Sequence, residues 1–147
     1  LVCPFHTAKV EYKRHLRDLE YDTTRDICID NLAAGQNVFM ISPFTSELKN
    51  PDWIEDVLRS AGKTRAEVDV KIIVVTLENM EMQKERIIAR RTERDRWKLD
   101  HWEAFAARAR FVPDIRWDLP DGAVKIFDNS PPLTEERVDE LYRFIRA

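Results

Sequence analysis

Six basic side chains are concentrated within residues 86–98, near the middle of the chain. They are Arg86, Arg90, Arg91, Arg94, Arg96 and Lys98. Only Glu93 and Asp95 oppose them, so the segment has a net charge of +4 while the whole chain has −3. Arg90 and Arg94 are four residues apart, which on a helix places both guanidinium groups on one face. Because a guanidinium donates paired hydrogen bonds that match phosphate geometry, the segment predicts a phosphate-binding site.

The same segment has a second interpretation that requires no ligand. Its arginines would lie on a solvent-exposed helical hairpin and pair with the acidic residues around them. Composition does not choose between these two interpretations, and both stay open at this point.

Polar residues that follow predicted strands are the next candidates for chemistry. Ser42, Pro43 and Phe44 follow the first strand, Glu78 follows the second, and Asp128, Asn129 and Ser130 follow the third. Ligands of open parallel sheets bind outside the carboxyl ends of the strands, so these positions predict a binding edge. The alternative is that they are ordinary polar loops, because Asp and Asn are also common turn residues.

Other catalytic patterns are weak or missing from the sequence. His6, His15 and His101 lie far apart without metal-ligand spacing, and there is no Gly-x-Ser-x-Gly motif. Cys3 and Cys28 have no metal-ligand spacing either, and Cys28 falls within a helical pattern where a small buried residue fits. We therefore expect free thiols, no resident metal and a cytoplasmic protein.

Composition limits the class of protein. The chain has 147 residues, of which 44% are hydrophobic and 35% charged, with only three glycines, which favours one helix-rich globular domain over residues 1–147. No apolar run approaches the length of about 20 residues that a membrane span needs. The net charge of −3 gives no global field for a polyanion, so we expect neither nucleic acid nor membrane as a partner.

The first predicted element is a long helix over residues 12–34, since no Gly or Pro interrupts it. Its predicted buried stripe consists of Tyr12, Leu16, Leu19, Thr23, Ile27 and Ala34. Gly35 then ends the helix. The apolar run 38–41 predicts a strand buried on both faces, which Pro43 terminates.

Helices and strands alternate in the rest of the chain. Asn50 and Pro51 predict the start of a helix that Gly62 closes, and residues 70–77 predict a second fully buried strand. Two helical patterns follow, over 79–91 and 99–109, with a hairpin between them. Residues 112–123 predict mostly loop, 124–127 a third strand, and Thr134 the cap of a final helix.

This order predicts an α/β fold with a three-layer parallel sheet and helices on both faces. A doubly wound domain usually opens with a strand and its nucleotide-binding turn, whereas here the order starts with a helix. The chain also begins with Leu1 rather than Met. We therefore expect that an N-terminal strand-loop-helix unit is missing from this sequence.

Three stretches carry a resemblance to a known group of proteins. They are residues 16–22, residues 31–44 together with Glu47 and Trp53, and residues 89–102. These stretches resemble bacterial AAA-type P-loop ATP-binding proteins, which are similar to small-molecule and nucleotide kinases and, more distantly, to chloramphenicol phosphotransferase and zeta toxin. The match spans about residues 12–130, and its most specific part is Arg94, Asp95, Trp97, Lys98 and Leu99.

The resemblance implies a P-loop kinase-like fold that binds ATP and Mg²⁺ and transfers the γ-phosphate to a small-molecule acceptor. It implies a helical lid hairpin over about residues 90–110, in which Arg90 and Arg94 act as catalytic groups on the phosphates. The nucleotide would also contact Lys98, Asp128 and Asn129. The acceptor would contact Ser42, Phe44, Glu47 and Trp53.

The sequence departs from the pattern of such kinases at two points. It has no GxxxxGK[ST] phosphate-binding loop, and Ile41 stands where relatives tend to have a carboxylate. Glu20, Asp22 and Glu47 are candidate substitutes for that acid. Two hypotheses follow: a kinase whose phosphate-binding loop lies outside this sequence, or a kinase-like nucleotide-binding or protein-interaction domain that lacks catalysis. Trp97 and Trp102, beside the arginines, would suit a protein interface.

Overall fold

The computed structural model describes residues 16–109 and 112–147, except for the side chains of Arg17 and Arg94. Within these residues the protein is mixed α/β, with six helices and a two-stranded parallel sheet. The helices are α1 (Arg17–Ala33), α2 (Trp53–Ser60), α3 (Met80–Arg90), α4 (Arg96–Asp100), α5 (Trp102–Arg108) and α6 (Glu135–Arg146). The strands are β1 (Ile72–Thr76) and β2 (Val124–Asp128), and a 3₁₀ turn spans Glu93–Asp95.

The chain divides into two compact units. Of the described residues, 16–69 and 114–118 form the first unit, and 70–109, 112–113 and 119–147 form the second. In the described part of the chain, no helix is both long and apolar enough to cross a membrane.

Helix α2 provides the centre of the first unit's core. Its side chains Ile54, Val57 and Leu58 are buried, as the apolar pattern predicts, and Ala61 is buried directly after it. Gly62 follows with a φ of 67°, a left-handed conformation that ends helices and that glycine adopts without strain. The prediction of this helix and of its closing glycine is confirmed, but the helix begins at Trp53 with Asp52 at its N-cap position, and the predicted start at Asn50 and Pro51 is wrong.

Helix α1 forms where it is predicted, but the predicted buried stripe is wrong. Leu19 and Ile27 are exposed, whereas Cys28 is buried. The packed face runs through residues 21, 25, 28 and 32, which are half-buried or buried at helical spacing. Sequence alone cannot tell which face packs, because Tyr21, Cys28 and Leu32 also recur at helical spacing. Residues 12–15 of the predicted helix lie outside the described residues.

The prediction of a strand over residues 38–41 is wrong. These residues do not join a β-ladder among the described parts of the chain, and the side chains of Phe39 and Ile41 are 69% and 86% exposed. An apolar run is compatible with an extended backbone, but a strand also needs a neighbour that completes its hydrogen bonds.

The second unit contains the sheet. β1 and β2 pair in parallel, with Ile72 opposite Val124 and Thr76 opposite Asp128. Both strands were predicted. The prediction that β1 is fully buried is wrong, because Val74 is buried but the side chain of Val75 is 60% exposed. The helices α3, α4 and α5 lie between the two strands in the chain, which parallel pairing requires because such strands cannot be joined by a tight turn.

The ends of α3 and α6 follow from local sequence. Asn79 caps α3 by accepting a hydrogen bond from the Met82 N–H at 2.9 Å, and Thr134 caps α6 by accepting one from the Arg137 N–H at 3.4 Å. The Lys71 ammonium donates to the Phe144 carbonyl at 2.9 Å, in the last turn of α6. That position favours a cation because helix ends leave carbonyl groups unsatisfied.

Candidate functional site

A groove of about 750 Å³ opens in the first unit, between α1 and the extended segment that follows it. The four residues that were predicted to contact an acceptor substrate, Ser42, Phe44, Glu47 and Trp53, all line it. They come from the end of the extended segment, the turn after it and the start of α2. The structure therefore brings the predicted acceptor residues together, although the strand that was predicted to present them is absent from the described ladders.

An aromatic cluster forms one wall of the groove. The Trp53 ring packs edge-on against Phe44, with 5.9 Å between the ring centroids and 70° between the planes. Trp53 also stacks with Trp117, with 5.3 Å between the ring centroids and 6° between the planes. The Trp117 indole N–H donates to the Glu47 carbonyl at 2.8 Å, which ties the groove's turn to the loop at residues 114–118. Trp117 was missed by the sequence analysis because it lies in a predicted loop, remote in sequence from its partners.

Phe44 has an unusual backbone conformation. Its φ is 46°, in the left-handed region that bulky side chains rarely adopt. The conformation stores backbone strain at a residue that lines the groove. Strain of this kind is concentrated at functional sites, where the surrounding structure holds it in place.

The polar lining of the groove is mainly acidic. Among its described lining residues, Glu20, Asp22 and Glu47 carry carboxylates and Arg25 carries the single basic group. The Glu47 carboxylate accepts hydrogen bonds from the Ser46 N–H and hydroxyl, at 3.2 and 3.1 Å. These three acids are the candidates that the sequence offered in place of the carboxylate missing at Ile41.

In the second unit, Asp95 organises the basic segment. Its carboxylate is buried, with a relative exposure of 1%, and contacts Arg90 and Lys98, each at 2.8 Å. The Thr92 hydroxyl donates to it at 2.5 Å. Burial acts to raise the pKa of Asp95, but the hydrogen bonds from Lys98 and Thr92 and the charges of Lys98 and Arg90 outweigh it, so the pKa lies below its ordinary value.

This arrangement bears on the predicted phosphate-binding residues. Arg90 and Lys98 are partners of a buried acid, as the second interpretation of the segment expects, yet about half of the Arg90 side chain stays exposed. The side chain of Arg94 lies outside the described residues. The roles assigned to Arg90, Arg94 and Lys98 on phosphate therefore stay predictions, and Asp95, which sequence analysis counted only as an opposing charge, is the residue that positions two of them.

The carboxyl ends of β1 and β2 meet, as parallel pairing predicts. The Asn129 N–H donates to the Thr76 carbonyl at 2.9 Å, and the Glu78 N–H donates to the Ser130 hydroxyl at 2.6 Å. Asp128 and Asn129, the predicted nucleotide contacts, are thus fixed at this edge of the sheet.

Two arginines border that edge. Arg86 donates to the Asn129 carbonyl at 2.7 Å, and Arg137 donates to the Asp128 carbonyl. Hydrogen bonds from the Ser130 side chain and N–H lower the pKa of Asp128, and the charges of Arg137 and Arg86 add to this effect. Arg137 was missed because it lies in the final helix, where only the apolar stripe drew notice.

One short motif is explained by the fold. Gly62, Lys63 and Thr64 repeat the last three residues of a P-loop signature, but Val57 stands where its first glycine is required. In a P-loop these residues precede a helix, whereas here they follow α2, and the Lys63 N–H donates back to the Leu58 carbonyl. The triplet therefore ends a helix and does not hold phosphate.

Metal and thiol chemistry find little support in the described residues. These contain no group of three or more His, Cys, Asp or Glu side chains placed to hold a metal ion. Burial raises the pKa of the Cys28 thiol, so it stays protonated and unreactive at neutral pH. Cys3, His6 and His15 lie outside the described residues.

Comparisons with protein-family models, with curated proteins and with solved structures found no match to this chain. The resemblance to P-loop kinases therefore stays a prediction from sequence.

Proposed function

We propose that this chain is part of a cytoplasmic, ATP-dependent phosphotransferase of the P-loop kinase type. Its fold would be the kinase-like three-layer parallel sheet, to which β1 and β2 contribute two strands. The protein would bind ATP with Mg²⁺ and transfer the γ-phosphate to a small-molecule acceptor. Since the sequence contains no GxxxxGK[ST] loop, transfer requires a phosphate-binding loop supplied by residues outside it.

The observation that carries the proposal is the parallel pair β1 and β2, whose carboxyl ends meet at a polar edge bordered by arginines. Open parallel sheets bind ligands at this edge, because loops there are close together while the rest of the sheet is covered. Asp128 and Asn129 would contact the nucleotide at this position. The positive charges of Arg86 and Arg137 favour an anionic ligand beside them.

The basic segment would neutralise charge on the phosphates. In phosphoryl transfer the protein contributes mainly by positioning cations around the transferred group. Asp95 supplies that positioning, since it holds Arg90 and Lys98 in place. About half of the Arg90 side chain remains exposed. Arg94 would act beside Arg90 from the same segment.

Mg²⁺ fits this scheme as an ion that arrives with the nucleotide. Magnesium in kinases is bound mostly by phosphate oxygens and water, with one or two carboxylates from the protein. The described residues offer single carboxylates and not a dedicated cage. When bound, the ion would supply positive charge to the phosphates.

A measurement of ATP consumption by the natural-length protein tests the proposal. By natural-length protein we mean the whole gene product, with any residues that are encoded outside this sequence. The variant Arg94→Ala should lose most of any turnover. Arg143→Ala should keep it, because Arg143 donates a hydrogen bond to the Asp139 carbonyl of its own helix, α6, at 3.4 Å. Equal turnover in the two variants would argue against a role for the basic segment. Arg94 is preferred to Arg90 for this test because loss of Arg90 would also disturb the buried Asp95.

A second candidate function is a kinase-like domain without catalysis that binds a protein partner. It is favoured by the pairing of Arg90 and Lys98 with Asp95, which satisfies these cations internally. Trp97 is exposed beside them and stacks on His101 at 5.0 Å, and exposed tryptophans are frequent at interfaces. This candidate predicts that neither the natural-length protein nor its Arg94→Ala variant consumes ATP.

A further inference from the structure

We propose that the groove of the first unit binds a small organic cation, in which an amine is attached to an apolar or aromatic body. The inference rests on the proposed function, because it names the chemical class of the acceptor. Three independent properties of the groove support it: its volume, its charge and its aromatic wall.

The volume suits a small molecule. At about 750 Å³, the groove falls within the range of roughly 300–1,000 Å³ that is usual for small-molecule sites. It lies within one unit, between a helix and a tethered turn. All of its described lining residues belong to the first unit.

The charge of the groove selects a cation. Glu20, Asp22 and Glu47 oppose Arg25 alone among the described lining residues, which leaves a net charge of −2. An anionic ligand would meet repulsion here, whereas an ammonium group would gain charge-assisted hydrogen bonds from carboxylate oxygens. The Ser42 hydroxyl adds a neutral donor and acceptor at the same lining.

The aromatic wall selects the rest of the molecule. Trp53 is in ring contact with both Trp117 and Phe44, so its position is set before any ligand binds. Aromatic rings that are fixed in this way bind planar or apolar groups and attract cations to their faces. Leu19 and Met40 extend the apolar lining. The site thus offers acid for one end of the ligand and apolar surface for the other.

Three probes of similar size and different charge test the inference: 2-phenylethylamine, 2-phenylethanol and phenylacetate. Each is titrated into the protein in the absence of nucleotide, and binding is followed by amide NMR shifts of the groove residues. We expect the amine to bind about tenfold more tightly than the alcohol, because a hydrogen bond to a charged group contributes about 1.5–3 kcal/mol. Phenylacetate should bind most weakly, and the preference should shrink as salt is raised.

Variants that each remove one carboxylate test which acidic side chains bind the amine. Glu47→Gln and Asp22→Asn should reduce the preference for the amine by several-fold, and Asp26→Asn, on an exposed part of the same helix outside the groove, should leave it unchanged. Glu47→Gln keeps the wall intact because Trp117 bonds to the main-chain carbonyl of this residue and not to its carboxylate. Circular dichroism melting curves of all variants confirm that they are folded.

Several outcomes would overturn the inference: no amine binding, equal binding of the three probes, a preference that survives both groove variants, or an equal loss in Asp26→Asn. Because nucleotide is absent, these outcomes are separate from a failure of the proposed function. That failure would appear as a lack of ATP binding while the amine still binds.

Discussion

The indole rings of Trp53 and Trp117 lie parallel, 5.3 Å apart at their centroids and 6° apart in their planes. One ring opens α2 and the other lies in the loop at residues 114–118, so the stack fastens this loop to the helix that forms the core of the first unit. The Trp117 N–H fastens it a second time, through the carbonyl of Glu47. The wall of the groove therefore depends on a residue that is remote from it in sequence.

We predict that Trp117→Ala destabilises the protein by about 2–3 kcal/mol, because it removes both the stacked ring and the indole hydrogen bond. Trp117→Phe keeps a ring and loses the hydrogen bond, so its cost should be about 1 kcal/mol. Urea denaturation measures both values. Trp97→Phe is the control. Because Trp97 is exposed, this substitution should lower the free energy of unfolding by less than about 0.5 kcal/mol. Equal stability of the two Trp117 variants would contradict this account of the stack.

Asp95→Asn should be among the most destabilising single substitutions in the second unit. It leaves Arg90 and Lys98 without their anionic partner while the amide stays buried. We expect a loss of about 1–3 kcal/mol, below the value for a fully buried pair because both cations are partly exposed. Thermal or urea unfolding measures the loss. Glu93→Gln removes an exposed acid two residues away and should change stability by less than about 0.5 kcal/mol.

The contribution of Asp95 should depend on pH in a defined direction. Its pKa is lower in the folded protein than the value of about 3.9 in an unfolded chain, so the unfolded state binds more protons between the two values. The stabilisation is present above about pH 4 and is lost as the pH falls through the folded-state pKa. The stability difference between wild type and Asp95→Asn should therefore narrow in acid. A difference that is constant down to about pH 2 would contradict the prediction.

A substitution at Arg91 tests whether the left-handed backbone at the end of α3 lowers the stability of the protein. It caps the helix with a φ of 50°, in the left-handed region where glycine is preferred. We expect Arg91→Gly to stabilise the protein by about 0.5–1 kcal/mol, since its side chain is exposed and the strain is removed. A rise in melting temperature measures this. A loss of stability would mean that the Arg91 side chain makes a contribution larger than the strain.

The sequence predicts best those elements whose ends are defined by local chemistry. Thr134 caps α6 where it was expected to, and Gly62 ends α2 in the left-handed conformation. Such signals act over a few residues, so they can be read without knowledge of the rest of the fold. The four residues that were predicted to contact an acceptor line one groove, because they lie close together in the chain.

Features that depend on distant partners could not be predicted in this way. Residues 38–41 have the composition of a strand, but pairing requires a neighbour that composition does not specify. The packed face of α1 depends on what lies against it, which is why Cys28 is buried and Ile27 is not. Asp95 and Trp117 were missed for the same reason. Their roles arise from burial and from contacts across the fold.

The measurement that tests the central claim most directly is a calorimetric titration of the natural-length protein with magnesium ATP. The account predicts saturable binding that weakens about tenfold in the variant Arg94→Ala, because a charged contact to phosphate is lost. Arg143→Ala should bind as wild type does. Absence of heat on titration of the wild-type protein, or unchanged affinity in Arg94→Ala, would contradict it.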